Sequence, residues 1–205
     1  MTERPLSIEE FGPRVTSAWN GLRSATRHLL ESAWRSSSEA GAGERRPAPY
    51  DHRADMELTQ LLSALDERAG KPAGAEENSP ARQAQSLGDA CAKMLAEQTQ
   101  SAEVFAQLIQ RAHGRQDFAR LDNLANAMAQ RLAPSELCDL ARANNVVVRA
   151  LAHEVLAQAP VSLLSALLHD PVDADVARAV LARLAHEFGS EEARRVVRDF
   201  EDFGN

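Results

Sequence analysis

The stretch VVVRALAHEVLAQAPVSLLSALLHDPVDADVARAVLARLAHEFG, residues 146–189, decides the fold of this 205-residue chain. Its apolar side chains recur every three or four residues, which places them on one face of an α-helix. Pro160, Pro171 and Gly189 interrupt this periodicity, as turn residues do between helices. The stretch therefore predicts short helices that reverse direction at the interruptions.

The same pattern continues on both sides of this stretch and predicts a series of helices. Gly114, Pro134 and the pair Asn144–Asn145 lie where further turns are expected. No segment alternates apolar and polar residues as a half-buried strand would. The fold class is therefore predicted to be all-α. The predicted helices run from about Pro80 to Gln98, Ser101 to His113, Asp117 to Leu132, Ser135 to Ala143, Val146 to Gln158, Val161 to His169, Ala174 to Phe188 and Ser190 to Phe200.

Corresponding apolar positions in successive helices repeat with one rhythm. One position recurs in the first helices of four successive pairs, at separations of 29, 27 and 29 residues. One position in the second helices recurs at the same separations. These residues are Leu95, Leu124, Leu151 and Val180, and Leu108, Leu137, Leu164 and Ala193. A unit of two helices cannot bury its apolar face alone, so neighbouring units are expected to stack, and the register places Leu124, Leu151 and Leu164 inward. The alternative is an irregular bundle whose helices merely share a similar length.

The phrases VVVRALAHEVLAQAP (146–160) and ADVARAVLARLAHEFG (174–189) resemble HEAT-like and related short α-hairpin repeats over about residues 80–200. The resemblance implies an α-solenoid-like stack of helical hairpins. It also implies an extended surface that suits the binding of another protein.

A separate N-terminal amphipathic helix is predicted over residues 1–35. Ser7 and Glu10 have the spacing of a capping box. Apolar residues from Ile8 to Leu29 then lie three or four apart on one stripe, which must be buried. The stripe packs either on the repeats or on another molecule, including a second copy of the chain. We predict partner binding by aromatic and aliphatic residues near the two ends of the chain: Ile8, Phe11, Val15, Trp19, Leu22, Leu29, Trp34, Phe200 and Phe203.

Composition divides the remaining chain into three segments. Residues 36–54 are rich in Ser, Gly, Pro and charge and are predicted to form a flexible linker. Residues 55–79 are predicted to hold a short helix and a loop, and the apolar side of the short helix is predicted to contain Met56, Leu58, Leu61, Leu62 and Leu65. Residues 80–205 are predicted to form the helical-repeat domain. Its acidic tail, with Asp199, Glu201 and Asp202 around Phe200 and Phe203, is expected to cap the last repeat; a docking tail is the alternative.

Charge and cysteine content favour a cytoplasmic protein. The formal net charge is -7, and the part after Ala54 holds fifteen basic and twenty-three acidic residues, which disfavours nucleic acid as a partner. No apolar run approaches the roughly 20 residues of a membrane span, and no secretory signal begins the chain. Cys91 and Cys138 lie in apolar patterns and are expected to be free buried thiols, with a redox pair as the alternative. Arginine in place of nearly all lysine suggests a bacterial source.

Two His–Glu pairs, His153–Glu154 and His186–Glu187, are the main candidates for chemistry. They do not share a repeat position, and no His-Glu-x-x-His spacing is present, so a metal site is not predicted. No nucleophile elbow, phosphate loop or nucleotide fingerprint is present, and no cofactor is predicted.

The sequence therefore predicts a non-catalytic protein–protein interaction module, an adaptor or regulatory subunit of a cytosolic bacterial complex. The alternative is an enzyme or lyase on a helical-repeat scaffold, in which the two His–Glu pairs transfer protons. Binding of nucleic acid would require arginines on one face without intervening acids, the candidates being Arg142, Arg149, Arg178 and Arg183.

Overall fold

The computed structural model describes residues 8–38, 50–70 and 79–203, with backbone only at 36–38 and 201–203. All of the regular elements in these ranges are helical, which confirms the all-α class. They form two compact units that divide between Thr99 and Gln100. The elements are a 3-10 turn (Ile8–Phe11), α1 (Pro13–Gly21), α2 (Ser24–Ser38), α3 (His52–Ala69), α4 (Pro80–Gln98), α5 (Ala102–Gly114), α6 (Phe118–Arg131), α7 (Pro134–Ala141), α8 (Val146–Leu156), α9 (Val161–Leu167), α10 (Ala174–His186) and α11 (Glu191–Phe203).

The N-terminal segment is broken twice within the described residues, and the prediction of one continuous helix was wrong there. Gly12 has a φ of 100°, a conformation that favours glycine, and Pro13 then opens α1 with its fixed φ. Leu22 is extended and ends α1. Ser7, and with it the predicted capping box, lies outside the described residues.

The core of the first unit lies between α3 and α4. Leu58, Leu61, Leu62 and Leu65 of α3 are fully buried, as predicted for the apolar side of this helix. Met56 was also predicted on that side, but it is 60% exposed because it falls a half-turn away from Leu58. The N-terminal elements cover this pair: α1 packs on α3, α2 on α4 and α3, and the 3-10 turn on α4.

Segment boundaries in the first unit differ from the composition-based division. His52 to Ala54, predicted in the linker, form the first turn of α3, and Asp51 caps that helix by accepting a hydrogen bond from the Ala54 N–H. The helix from Pro80 to Gln98 is confirmed as α4, but it packs on α2 and α3. Residues 39–49 and 71–78 lie outside the described residues.

The second unit contains α5 to α11, and their bounds agree with the predicted helices to within two residues at most ends. Local side-chain caps contribute to this agreement at the starts of α6 and α8. Asp117 accepts a hydrogen bond from the Arg120 N–H at the start of α6, and Asn145 accepts two at the start of α8, from Val147 and Val148. Such caps depend on neighbouring residues only, so the sequence predicts them well.

Packing divides the second unit into two groups of helices. The first group is α5 to α8, in which α5 packs on α6, α7 and α8, and α8 packs also on α6 and α7. The second group is α9 to α11, which pack on one another. Among the described residues, close packing between the groups is made by α7, which contacts α9 and α10.

The positions predicted to repeat are buried with one exception. Leu95, Leu108, Leu124, Leu137, Leu164, Val180 and Ala193 are all buried. Leu151 is only half-buried, so its placement in the core was wrong. Helix α8 buries Val148, Ala152, Val155 and Leu156 instead, which turns Leu151 toward the edge of the buried face.

No single helix among the described residues is long and apolar enough to cross a membrane. Helices α8 and α9 meet the length and apolar content only when taken together, and a bend of 120° separates them.

The burial difference gives a test of the register. We expect Leu124→Ala to lower the free energy of unfolding by about 2–5 kcal/mol, because Leu124 is 2% exposed and its loss leaves a cavity. We expect Leu151→Ala to cost about 1 kcal/mol or less, because solvent already reaches this side chain. Urea denaturation followed by circular dichroism measures both, and equal losses would contradict this register.

Candidate interaction surfaces

The apolar stripe of the N-terminal segment is covered by helices of its own unit. Ile8, Phe11, Val15, Trp19 and Leu22 are all buried, on elements that pack against α3 and α4. Contact with the same chain thus accounts for their burial. A role for them in binding another molecule stays a prediction.

The two remaining N-terminal candidates lie on α2 and are half-buried. Leu29 is partly covered, whereas its neighbour Leu30 is fully buried. The indole Nε1 of Trp34 donates a hydrogen bond to the Ser86 hydroxyl of α4 over 3.3 Å. Both residues therefore have intrachain contacts on one side and solvent on the other.

Arg23 fixes the N-terminal segment to the start of α3. Its Nε donates to Glu57 Oε1 over 2.6 Å, and its Nη1 and Nη2 bind the two carboxylate oxygens of Asp51 over 2.8 and 2.6 Å. The backbone N–H of Arg23 also donates to Glu57 Oε2 over 3.3 Å. The extended conformation of Leu22 ends α1 one residue earlier, so Arg23 sits between α1 and α2. We call Arg23, Asp51 and Glu57 the Arg23 cluster.

Both carboxylates of the Arg23 cluster hold their charge strongly. The hydrogen bonds from Arg23 and then the Ala54 N–H lower the pKa of Asp51 well below its usual range. Burial raises the pKa of Glu57, but hydrogen bonds from Thr26 and Arg23 outweigh it and the net shift is downward. Ionisation of both groups therefore favours the folded first unit above their ordinary pKa values.

A buried carboxylate, Asp55, lies one helical turn along α3 and was not identified from the sequence. The Tyr50 phenol donates a hydrogen bond to it, and His52 Nδ1 lies 3.8 Å from its Oδ2. Burial and the hydrogen bond to Asp55 raise the pKa of Tyr50 above its usual range. These contacts hold the residues that precede α3 against the helix.

The C-terminal candidates lie on α11. The Phe200 ring is half-buried, with the Arg178 guanidinium of α10 over it at 5.3 Å from the ring centre. This contact packs α11 on α10, and cation–π pairs of this kind are modest in energy when exposed. The side chain of Phe203 lies outside the described residues.

The two His–Glu pairs share one arginine. Arg183 of α10 bridges Glu154 of α8 over 2.7 Å and Glu187 over 2.8 Å, and its guanidinium also lies over the Phe188 ring. The carboxylates are thus engaged with a guanidinium. Burial, and then the charges of Arg183 and Arg149, lower the pKa of His153, while His186 is exposed. No group of three or more metal-ligating side chains was found in the described ranges.

Acidic partners accompany three of the four arginines considered for nucleic-acid binding. Arg142 binds Asp139 and Asp173, Arg178 binds Asp175, and Arg183 binds Glu154 and Glu187. Arg149 donates to the Ala143 carbonyl instead. Acids therefore intervene among these arginines.

Helix α8 has an apolar surface on its solvent side as well as on its core side. Val146 is 66% exposed, Ala150 is exposed, and Val147 and Leu151 are half-buried. These four residues, the α8 strip, lie one turn apart on adjacent rows of the helix. The strip ends at Glu154, which is paired with Arg183. Apolar periodicity gave no signal for this strip, because it does not tell which apolar rows of α8 a neighbouring helix covers.

Further exposed apolar side chains lie at or just before the starts of α6 and α10. Phe118, the first residue of α6, is exposed, and so is Val172, two residues before α10. Helix α8 also begins with an exposed apolar residue, Val146. Solvent-exposed apolar residues therefore recur where successive first helices begin.

The Arg23 cluster predicts a pH-dependent first unit. Because both pKa values are lowered in the folded state, the stabilisation is present above about pH 4, the ordinary carboxyl range, and is lost as the pH falls through and below it. We expect Arg23→Met to lower the melting temperature of the first unit at pH 7 by several degrees. The melting temperature of this variant should also change less with pH between pH 5 and 3. Tryptophan fluorescence measures this, because both tryptophans, Trp19 and Trp34, belong to the first unit.

Arg14→Met is the matched control, because Arg14 also links α1 to α3, through Glu67 over 2.6 Å, but both side chains are largely exposed. We expect a small change in melting temperature and an unaltered pH profile. If Arg14→Met flattened the profile as much as Arg23→Met, the Arg23 cluster would not be its cause.

Comparisons with protein-family models, with curated proteins and with solved structures found no match to this chain.

Proposed function

We propose that the chain is a non-catalytic protein–protein interaction module, an adaptor or regulatory subunit in a bacterial cytosol, that binds a partner protein through the α8 strip. The single observation that carries this proposal is the apolar solvent face of α8. Isolated exposed apolar residues are ordinary on protein surfaces. The two exposed and two half-buried residues of the α8 strip lie on adjacent rows of one helix and form a continuous surface, which is the pattern by which helices dock on partners.

The arrangement of the second unit supports a stack of helical hairpins as the scaffold of this surface. The second helices contact one another in order, α5 with α7, α7 with α9 and α9 with α11. The first residues of α6, α8 and α10 are 118, 146 and 174, an even spacing of 28. Stacked hairpins place side chains of successive helices side by side on an extended surface.

Charge and chemistry of the neighbouring residues also favour a protein partner. The arginines of α10 and of the α7–α8 turn are paired with carboxylates, so they offer little net positive charge to phosphates. The carboxylates of the His–Glu pairs are both bound to Arg183, which disfavours their use in proton transfer. Because its own unit covers the N-terminal stripe, we propose the α8 strip as the binding surface in preference to that segment.

Affinity capture from the native organism tests the proposal when wild type is compared with variants. We expect Val146→Asp/Ala150→Asp to reduce recovery of a specific partner at least tenfold, because two charges would be desolvated on binding. Both positions face solvent, so the melting temperature should change little. Mass spectrometry identifies the partner, and the affinity for the purified partner measures the loss.

Met56→Asp is the control, since Met56 is also a large exposed apolar residue but lies on α3. It should leave recovery unchanged. Equal recovery of every protein by wild type and by Val146→Asp/Ala150→Asp would contradict a binding role for the α8 strip.

A further inference from the structure

The joint between the two helix groups of the second unit is narrow. Helix α10 packs on α7, α9 and α11, and not closely on α8, whereas α8 packs on α6. A regular stack would set α10 against α8 as α8 is set against α6. Close helix packing between α5–α8 and α9–α11 in the described residues is therefore made by α7, a helix of only eight residues, of which Leu137, Cys138, Leu140 and Ala141 are buried. The covalent connection is the short α8–α9 turn, where the chain bends by 120°.

One arginine crosses this joint near the end of α7. Arg142 Nη1 donates to Asp173 Oδ1 over 2.9 Å and to the Val172 carbonyl over 3.0 Å, and Nη2 donates to Asp139 Oδ1 over 2.6 Å. The side chain of Asp173 is 5% exposed, so its carboxylate needs a charged partner. Asp173 does not use its side chain to cap α10, unlike Asp117 at α6. Its carboxylate accepts a hydrogen bond from Arg142 instead.

A second arginine crosses the joint from the other direction. Arg183 of α10 reaches Glu154, on the last turn of α8, over 2.7 Å. Arg142 acts at the start of α10 and Arg183 three turns further along it. The two contacts, which we call the arginine bridges, therefore restrain α10 at two separated points.

We infer that the second unit is hinged at α7, and that the arginine bridges hold its two helix groups in one relative orientation. Apolar packing on a single short helix gives cohesion but little angular restraint, because hydrophobic contact is non-directional. Charge-assisted hydrogen bonds have defined geometry and supply that restraint. The side chains of Arg142 and Arg183 are 34% and 31% exposed, so dissolved salt reaches the bridges and weakens them.

Cys138 provides a probe of the hinge within the natural sequence. It is buried on α7, the helix that joins the groups, and it lies close enough to Asp173 to sense its charge. Burial, and then the negative charge of Asp173, raise the pKa of the Cys138 thiol to about 11. Removing the Arg142 charge would by itself raise this pKa further and slow alkylation. Faster alkylation therefore reports opening of the joint and not electrostatics.

The experiment is pulsed N-ethylmaleimide labelling of the full chain at constant pH, with peptide mass spectrometry to separate the two cysteines. We expect Arg142→Met/Arg183→Met to accelerate labelling of Cys138 roughly 3- to 30-fold, from the usual strength of two partly exposed ion pairs. Raising KCl from 0.05 to 1 M should accelerate it in wild type and have little effect in the double variant. Cys91, buried in the first unit, should be labelled at one rate throughout.

Arg178→Met is the matched control, because Arg178 is also on α10 but pairs with Asp175 of the same helix over 3.0 Å. It should leave Cys138 labelling unchanged. Equal acceleration by Arg178→Met, or no acceleration by the double variant, would overturn the hinge.

Hydrogen exchange separates hinge motion from unfolding. Rotation about α7 leaves helical hydrogen bonds intact, so amide exchange in α5 and α6 should not change in the double variant. If those amides exchanged faster in proportion to Cys138 labelling, the whole unit would be unfolding and the hinge would be excluded. Neither measurement needs a partner, so its outcome is independent of whether the α8 strip binds one.

Discussion

The structure depends on a simple constraint: each of its short helices has an apolar face that it cannot cover alone. Helices α3 and α4 bury leucines against each other, yet still need the N-terminal elements to cover their remaining surface. In the second unit α7 meets the same need for both helix groups, because half of its eight residues are buried. Stability in such folds comes from tertiary packing more than from helix propensity. Which helices pack against each other therefore decides which apolar faces remain exposed to solvent.

The sequence predicts the positions of the helices well, but it predicts poorly which helices pack against each other. Helix ends follow from local signals such as Pro134 at the start of α7 or Asn145 before α8, so their positions need no knowledge of the fold. The break at Gly12 and Leu22 was missed because a three-to-four spacing continues across it. Nothing in that spacing tells whether the N-terminal stripe faces α3 or another molecule. Which element covers an apolar face depends on residues that are distant in the sequence. The Arg23 cluster, for example, joins positions 23, 51 and 57.

Helix α8 shows the limit of apolar periodicity as a guide to burial. Its residues are apolar on more rows than one helix contact can cover, so the repeat register could assign Leu151 inward while the fold leaves it at the edge. Val148 and Ala152, which are not among the predicted repeat positions, are fully buried. A helix that is apolar nearly all round is usually a central one, covered on every side. Here α10 packs on α7 and not closely on α8, and part of α8 remains open.

The arginines show how one residue type serves different purposes according to the distance to its acid along the chain. Arg178 and Asp175 are three residues apart, so their pair supports a single helix. Arg142 and Asp173 are thirty-one residues apart, and Arg183 and Glu154 belong to different helices, so these pairs join elements that packing alone holds weakly. All of these arginines are equivalent in composition, and the sequence alone does not tell whether they share one face without intervening acids. The acids that pair with Arg142, Arg178 and Arg183 in the fold neutralise their charge, and one of these pairs, Arg183 with Glu154, marks the end of the apolar α8 strip.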